Sequence, residues 1–159
     1  MCIRDSKKAD TFLIGGILAN TFLKAGGMDV RQSLIDEDIL EEVKEFLNDD
    51  KVEISSDWTF ADNNRIMDIN LFTVNRFKTF IEKAGTIVWS GPLGVFENPL
   101  YRSGSEEIAK AITESKAFSI VGGGETTQLI LEMKLEKKIN FLSTGGSAML
   151  AFLAGRKLP

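Results

Sequence analysis

The sequence of 159 residues contains no histidine, and its single cysteine is Cys2. Without histidine there is no Ser-His-Asp or Cys-His nucleophile, and nearly every kind of zinc site is excluded. A lone cysteine forms neither an internal disulfide nor a thiolate metal cluster. Any chemistry therefore depends on carboxylates, lysine or arginine, backbone dipoles, or a hard metal ion.

Clustered positive charge and long apolar runs are also lacking. The 19 Lys and Arg residues are outnumbered by 23 Asp and Glu residues, and the net charge of −4 argues against a nucleic-acid or anionic-membrane surface. No apolar run approaches the roughly 20 residues of a membrane-spanning helix. The composition, 43% hydrophobic and 26% charged, is typical of one soluble α/β domain.

The first six residues, MCIRDS, differ in character from the rest and are too short and too polar for a signal peptide. They look like a translated adaptor, and the other end, GRKLP, stops abruptly on a proline. We therefore expect residues 1–8 to be a non-native leader with an incomplete domain start. Residues 9–159 are expected to form one domain, because no linker or change in composition interrupts them.

Short apolar strands alternate with amphipathic helices along this domain. The pattern predicts strands at 11–16, 51–61, 65–70, 86–91, 117–124 and 139–143. It predicts helices at 17–27, 36–48, 71–85, 103–115, 125–136 and 149–155. Ser105 is a candidate N-cap of the fourth helix. This alternation predicts an α/β fold whose mainly parallel sheet is covered by helices on both faces.

Three predicted strands end in glycine-rich corners that lead into helices: IGG at 14–16, VGGGETT at 121–127 and STGGSA at 143–148. Glycine permits a positive φ and lets a ligand approach the backbone closely. The helix that follows directs free N–H groups and its positive dipole end toward such a ligand. Two corners aimed at one point would bind phosphate without a basic side chain. The alternative is that these glycines only turn the chain.

The corners match neither a P-loop, which needs Gly-Lys-Ser or Gly-Lys-Thr, nor the G-x-G-x-x-G dinucleotide fingerprint. Glu125 begins a predicted helix, where its carboxylate could hold Mg²⁺ against nucleotide phosphates, although acids are common in any first helical turn. In WSGPLGVFENP, residues 89–99, Val95 could face a base and Glu97 could accept from ribose hydroxyls. An ordinary loop with Phe96 in the core explains this segment as well.

Several segments together resemble a known family. TIVWSGPLGVFENP, VGGGETT and LSTGGSAMLAFLAGRKLP, in this order and spacing, are similar to the nucleotide-binding half of phosphoglycerate kinase, and FLIGGILANTFLKAGG resembles the part before them. The resemblance implies a Rossmann-like, three-layer domain that binds ATP or ADP with Mg²⁺. It also implies a cytoplasmic glycolytic kinase, monomeric when complete, that transfers a phosphoryl group reversibly between ATP and the carboxylate of 3-phosphoglycerate.

The resemblance assigns a role to each matching residue. The adenine pocket would be lined by Gly15, Gly16, Met67, Pro92, Gly94 and Val95, and the ribose would be held by Glu97. The nucleotide phosphates would be bound by Gly123, Gly124, Glu125 and Thr126, with Glu125 nearest the metal ion. The catalytic positions would be Gly145 and Gly146, whose amides face the phosphoryl group in transfer.

Some positions depart from the family pattern. Glu125 replaces the usual Asp, Ser90 replaces Asn, and MDINLFT around Met67 replaces a stretch richer in glycine and proline. Ile17 and Ser147 replace a third glycine, so we expect both to have φ values that a β-carbon tolerates.

Three segments of the family's proteins have no match in this sequence. They are the first strand of the domain with its lysines, the N-terminal domain that binds 3-phosphoglycerate, and the C-terminal tail. We therefore expect the chain alone to be inactive and to bind a triphosphate weakly, because charge-assisted contacts are the strong ones. Two other hypotheses remain open. One is a stand-alone adenine-nucleotide-binding module without catalysis, and the other is an isomerase-like domain that binds phosphosugars without adenine.

Overall fold

A computed structural model describes residues 8–156, and the predicted alternation of strands and helices is present there. The strands are β1 (Phe12–Ile14), β2 (Val52–Ile54), β3 (Trp58–Phe60), β4 (Ile66–Ile69), β5 (Thr86–Ser90), β6 (Phe118–Gly122) and β7 (Phe141–Ser143). The helices are α1 (Gly16–Ala25), α2 (Leu40–Lys44), α3 (Leu71–Ile81), α4 (Ser103–Glu114), α5 (Gly124–Glu132) and α6 (Gly146–Leu153). Residues 1–7 of the expected leader lie outside the described residues.

The strands pair mainly in parallel. β1 pairs with β2, and β6 lies between β5 and β7 with Ile120 opposite both Val88 and Phe141. Among the strands of residues 8–156, only β3 and β4 are antiparallel, as a hairpin with an irregularity after Thr59. The predicted three-layer α/β fold with mainly parallel strands is thus confirmed, although the parallel strands form two hydrogen-bonded groups, β1-β2 and β5-β6-β7.

Apolar side chains from these strands and helices form two core clusters. The larger cluster includes Phe77, Trp89, Val121 and Leu129, and Phe96 of the loop after β5 is buried in it as predicted. Each fully buried side chain of this size stabilises the fold by about 1.5–3 kcal/mol. The smaller cluster packs α1 and α2 against β1 and β2. Together the two clusters pack the helices against the strands.

Three predicted elements differ from the structure. Ser105 is not the N-cap of α4, because the helix begins two residues earlier and the buried Ser105 hydroxyl accepts a hydrogen bond of 2.8 Å from the Leu93 amide. The predicted strand 51–61 is two strands, and Asp57 between them accepts from the Thr73 amide at 2.7 Å, which caps α3. The predicted helix 36–48 is a 3-10 turn followed by the five-residue α2.

No helix within residues 8–156 is long and apolar enough to cross a membrane.

Candidate functional site

The carboxyl ends of β5, β6 and β7 open into one cleft of about 470 Å³. This is the edge of a parallel sheet where ligands usually bind, because the helix N-termini point toward it. The cleft brings together six of the predicted site residues, namely Gly123, Gly124, Glu125, Thr126, Gly145 and Gly146. It is also lined by Ser90, Gly91, Thr144, Ser147, Ala148 and Leu150.

Two helices begin in this cleft without a side-chain cap. In α5 the first amide with a helical acceptor is that of Thr127, and in α6 it is that of Met149, each at 2.9 Å. Within the described part of the chain, the three amides before each have no acceptor, namely those of residues 124–126 and 146–148. Such amides, together with the positive end of a helix dipole, bind anions. The geometry of the cleft therefore suits phosphate groups, although no Lys or Arg among residues 8–156 lines it.

Glycine is required where the two corners touch. A β-carbon on Gly146 would lie 2.7 Å from the Cα of Gly123 and 2.9 Å from its nitrogen, so the backbones of the two corners are in direct contact. Gly123 itself has a φ of +102°, which a side chain would disfavour. Gly124 has no neighbour within 4 Å of its β-carbon position, so its backbone faces open space.

The exit of β5 is tied to the start of α5. The Gly91 amide donates a hydrogen bond of 2.8 Å to the hydroxyl of Thr126, which is fully buried. Trp89 reinforces this turn, since its indole N–H donates to the Gly91 carbonyl at 2.8 Å. The hydroxyl of Thr126 therefore has a structural partner, and its contact with a nucleotide stays a prediction.

The remaining predicted residues lie beside the cleft, around the loop formed by residues 91–98. A β-carbon on Gly16 would be 3.0 Å from the Pro92 carbonyl oxygen, and one on Gly15 would meet the Leu93 side chain. The Val95 amide donates to the Met67 carbonyl at 2.8 Å. The residues predicted for the adenine pocket are thus grouped together, and Val95 and Glu97 are exposed there. None of them lines the cleft itself.

Glu125 is exposed on the first turn of α5 and lines the cleft. The described residues contain no group of three or more acidic, histidine or cysteine side chains that could hold a metal ion. Mg²⁺ is commonly bound by one or two carboxylates together with substrate phosphates. The residues present therefore fit a metal ion that arrives with a nucleotide and do not fit a metal centre built from protein alone.

Ile17 and Ser147 have negative φ values, as we expected for corners that carry a side chain in place of glycine. Sequence reasoning missed two residues that lie against the loop of residues 91–98. One is Ser105, and the other is Asp68 of β4, which is 1% exposed. Burial raises the pKa of Asp68 to about 6, and hydrogen bonds from Gly104 and Ile69 oppose this shift. The sequence signal for Asp68 was a single acidic residue among the apolar residues of β4.

The fold and the cleft define a three-layer α/β domain in which two uncapped helix N-termini open into one cleft at the strand ends. A family-level sequence model described as phosphoglycerate kinase (PGK) matches residues 5–156. The chain resembles the phosphoglycerate kinase of Coxiella burnetii with a TM-score of 0.87 and 31% identity over 98% of its length. It resembles that of Pyrococcus horikoshii OT3 with a TM-score of 0.85 and 32% identity over 97%.

The chain therefore belongs to the phosphoglycerate kinase family. It covers 46% and 44% of the lengths of these two relatives, so it spans less than half of each.

Proposed function

We propose that this chain supplies the Mg·ADP/ATP site of a phosphoglycerate kinase. That enzyme would transfer a phosphoryl group reversibly between ATP and the carboxylate of 3-phosphoglycerate, in glycolysis and in the cytoplasm. The observation that carries the proposal is the pair of uncapped helix N-termini in one cleft, in a chain of this family. Such a cleft suits phosphoryl transfer, which depends mostly on positioning and on charge stabilisation.

The N-termini of α5 and α6 would bind different phosphoryl groups. The amides of residues 124–126 would bind the phosphates that stay with the nucleotide, because Gly124 faces open space. The amides at Gly145 and Gly146 would face the transferring group and stabilise its charge without reorganising. When bound with the nucleotide, Mg²⁺ neutralises part of the phosphate charge, and Glu125 would hold it.

The loop of residues 91–98 would bind the adenosine. Its backbone is fixed by the Leu93 and Val95 amides, whose acceptors belong to α4 and β4. The exposed Val95 side chain would contact the base, and the exposed Glu97 would accept from the ribose hydroxyls. A fixed backbone with exposed side chains supports this assignment, because preorganised contacts lose little entropy on binding.

We further propose that a strand from the complete protein inserts between β1 and β5. In a Rossmann-like sheet the spatial order is 3-2-1-4-5-6, and the observed β2-β1 and β5-β6-β7 groups correspond to 3-2 and 4-5-6. Among the described residues, β1 pairs only with β2, and β5 pairs only with β6.

An uncovered sheet face supports the same proposal. Val88, Phe118 and Phe141 lie on one face of β5-β6-β7 and are 40%, 52% and 56% exposed. Parallel sheets are normally covered on both faces. The rest of the complete protein would cover this face, supply the lysines of the inserted strand and bind 3-phosphoglycerate in a separate domain. The chain alone would then bind nucleotide without turnover.

A calorimetric titration of Mg·ADP into the purified chain tests the nucleotide site, with circular dichroism as the check on folding. We expect saturable binding that both Glu97→Ala and Gly124→Val abolish. Gly85→Val is the matched control, because Gly85 also has open space at its β-carbon position but lies between α3 and β5, away from the cleft. The proposal would be contradicted if the folded chain does not bind Mg·ADP, or if Gly85→Val loses as much affinity for Mg·ADP as Gly124→Val.

A further inference from the structure

Asp68 joins three separate parts of the chain through one buried carboxylate. Its Oδ2 accepts a hydrogen bond of 2.8 Å from the Gly104 amide and one of 3.3 Å from the Ser103 hydroxyl. Its Oδ1 accepts from the Ile69 amide at 2.9 Å. The residue at the N-cap position of α4, Arg102, makes no capping hydrogen bond with its side chain. Asp68, from β4, therefore caps a helix that begins 35 positions later in the sequence.

The same carboxylate supports the loop of residues 91–98. A β-carbon on Gly94 would lie 2.5 Å from the carboxylate carbon of Asp68, so the loop backbone packs directly against it. The amides on either side of Gly94 donate hydrogen bonds to residues that lie next to Gly104 and Asp68 in the sequence. Leu93 donates to Ser105, next to the capped Gly104, and Val95 donates to Met67, next to Asp68. Moving the carboxylate would therefore disturb both anchors of the loop.

A buried ionised side chain is costly to keep in a protein interior. The negative charge of Glu106 in α4 adds to this cost, because it also raises the pKa of Asp68 and so opposes ionisation of the carboxyl group. Packing of the core alone would be served by an apolar side chain at this position. The carboxylate instead has partners in the start of α4, in β4 and in the loop backbone, which is an arrangement suited to fixing a position.

We propose that Asp68 is a positioning residue for the adenosine-binding loop of residues 91–98. It caps α4 and backs Gly94, and through these contacts it places Val95 and Glu97 against the nucleoside. The inference rests on the proposed function, because the ligand of the loop is the adenosine assigned there. It predicts that Asp68 affects recognition of the nucleoside and leaves the phosphate cleft between α5 and α6 unchanged.

The test compares binding of Mg·ADP with binding of Mg·pyrophosphate, which needs only the phosphate cleft. For Asp68→Ala we expect the Kd of Mg·ADP to rise about tenfold or more, the effect of losing a charge-assisted hydrogen bond, with little change for Mg·pyrophosphate. Asp68→Asn keeps one acceptor oxygen and should recover part of the affinity. The control is Asp57→Asn, because Asp57 caps α3 in a similar way and does not contact the loop. It should leave both affinities unchanged.

Amide hydrogen exchange gives a second readout that needs no ligand. Asp68→Ala should lower the protection of the Leu93 and Val95 amides relative to the core amide of Leu129, and Asp57→Asn should not. Equal losses for ADP and pyrophosphate, or unchanged loop protection in Asp68→Ala, would overturn the inference. If the unmodified chain binds neither ligand but its loop responds as expected, the positioning role stands and the proposed nucleotide site fails.

Discussion

Gly123 and Gly146 touch through their backbones, since a β-carbon on Gly146 would lie 2.7 Å from the Cα of Gly123. This contact sets the starts of α5 and α6 side by side. The amides of residues 124–126 and 146–148, which have no acceptor in the part of the chain that the structure describes, therefore all face the same cleft. An anion site of this kind depends on backbone geometry, which a substitution can change without altering any charge.

Gly146→Ala tests the contact between the two corners. The added methyl group must push against the backbone of Gly123, so we expect a loss of about 1–3 kcal/mol in the free energy of unfolding, typical of overpacking. Urea denaturation measures it. Gly145→Ala is the control, because a β-carbon there meets only the Ala148 side chain at an ordinary 3.6 Å. Equal stability of the two variants would mean that the corners are not in contact.

Thr126→Val tests the hydrogen bond that ties β5 to α5. Valine removes the acceptor of the Gly91 amide, and an unpaired buried amide costs about 1–3 kcal/mol. We expect the free energy of unfolding to fall by that amount and the affinity for Mg·ADP to fall with it. Thr126→Ser keeps the hydroxyl and should retain most of both. Full stability of Thr126→Val would show that Gly91 finds another acceptor.

The raised pKa of Asp68 predicts how the free energy of unfolding depends on pH. Its pKa is about 6 in the folded chain against an ordinary 3.8. Between these values the folded state binds more protons than the unfolded state, so Asp68 lowers the free energy of unfolding as the pH rises. At 1.36 kcal/mol per pKa unit the total change is about 3 kcal/mol.

The measurement for Asp68 is urea denaturation of the unmodified chain and of Asp68→Asn from pH 4 to pH 7. The difference between the two free energies isolates Asp68, because other groups contribute equally to both proteins. One such group is Glu107, whose pKa is lowered by its hydrogen bond from Lys110. We expect the stability of the unmodified chain relative to Asp68→Asn to decline as the pH rises from 4 to about 6 and to level off above that. A constant or rising difference would contradict the pKa assigned to Asp68.

Much of the fold could be predicted because its signals are local. Short apolar runs and glycine corners indicated β1, β5, β6 and β7, and the corners at Gly123 and Gly146 indicated the cleft. The break between β2 and β3 was missed because apolar residues lie on both sides of it, and the polar residues 55–57 between them were read as part of one strand. The break lies where the Asp57 carboxylate accepts a hydrogen bond from the Thr73 amide at the start of α3. No local sequence pattern indicates this contact.

The support of the loop could not be predicted for the same reason. Asp68 and Gly104 are 36 positions apart, and no local pattern connects them. Ser105 looked like a helix cap because serine is favoured at that position, but its hydroxyl serves the Leu93 amide in the loop. Residues that act across elements leave only a weak trace in sequence, such as one acid in an apolar strand.

The most direct test of the account is a titration of the ¹⁵N-labelled chain with Mg·ADP, followed by amide chemical shifts. We expect the largest shifts at residues 124–126 and 146–148, with smaller shifts at Val95 and Glu97. Adenosine alone should shift only the second group. Saturable binding whose largest shifts fall outside the cleft would contradict the claim that the two helix N-termini hold the nucleotide phosphates.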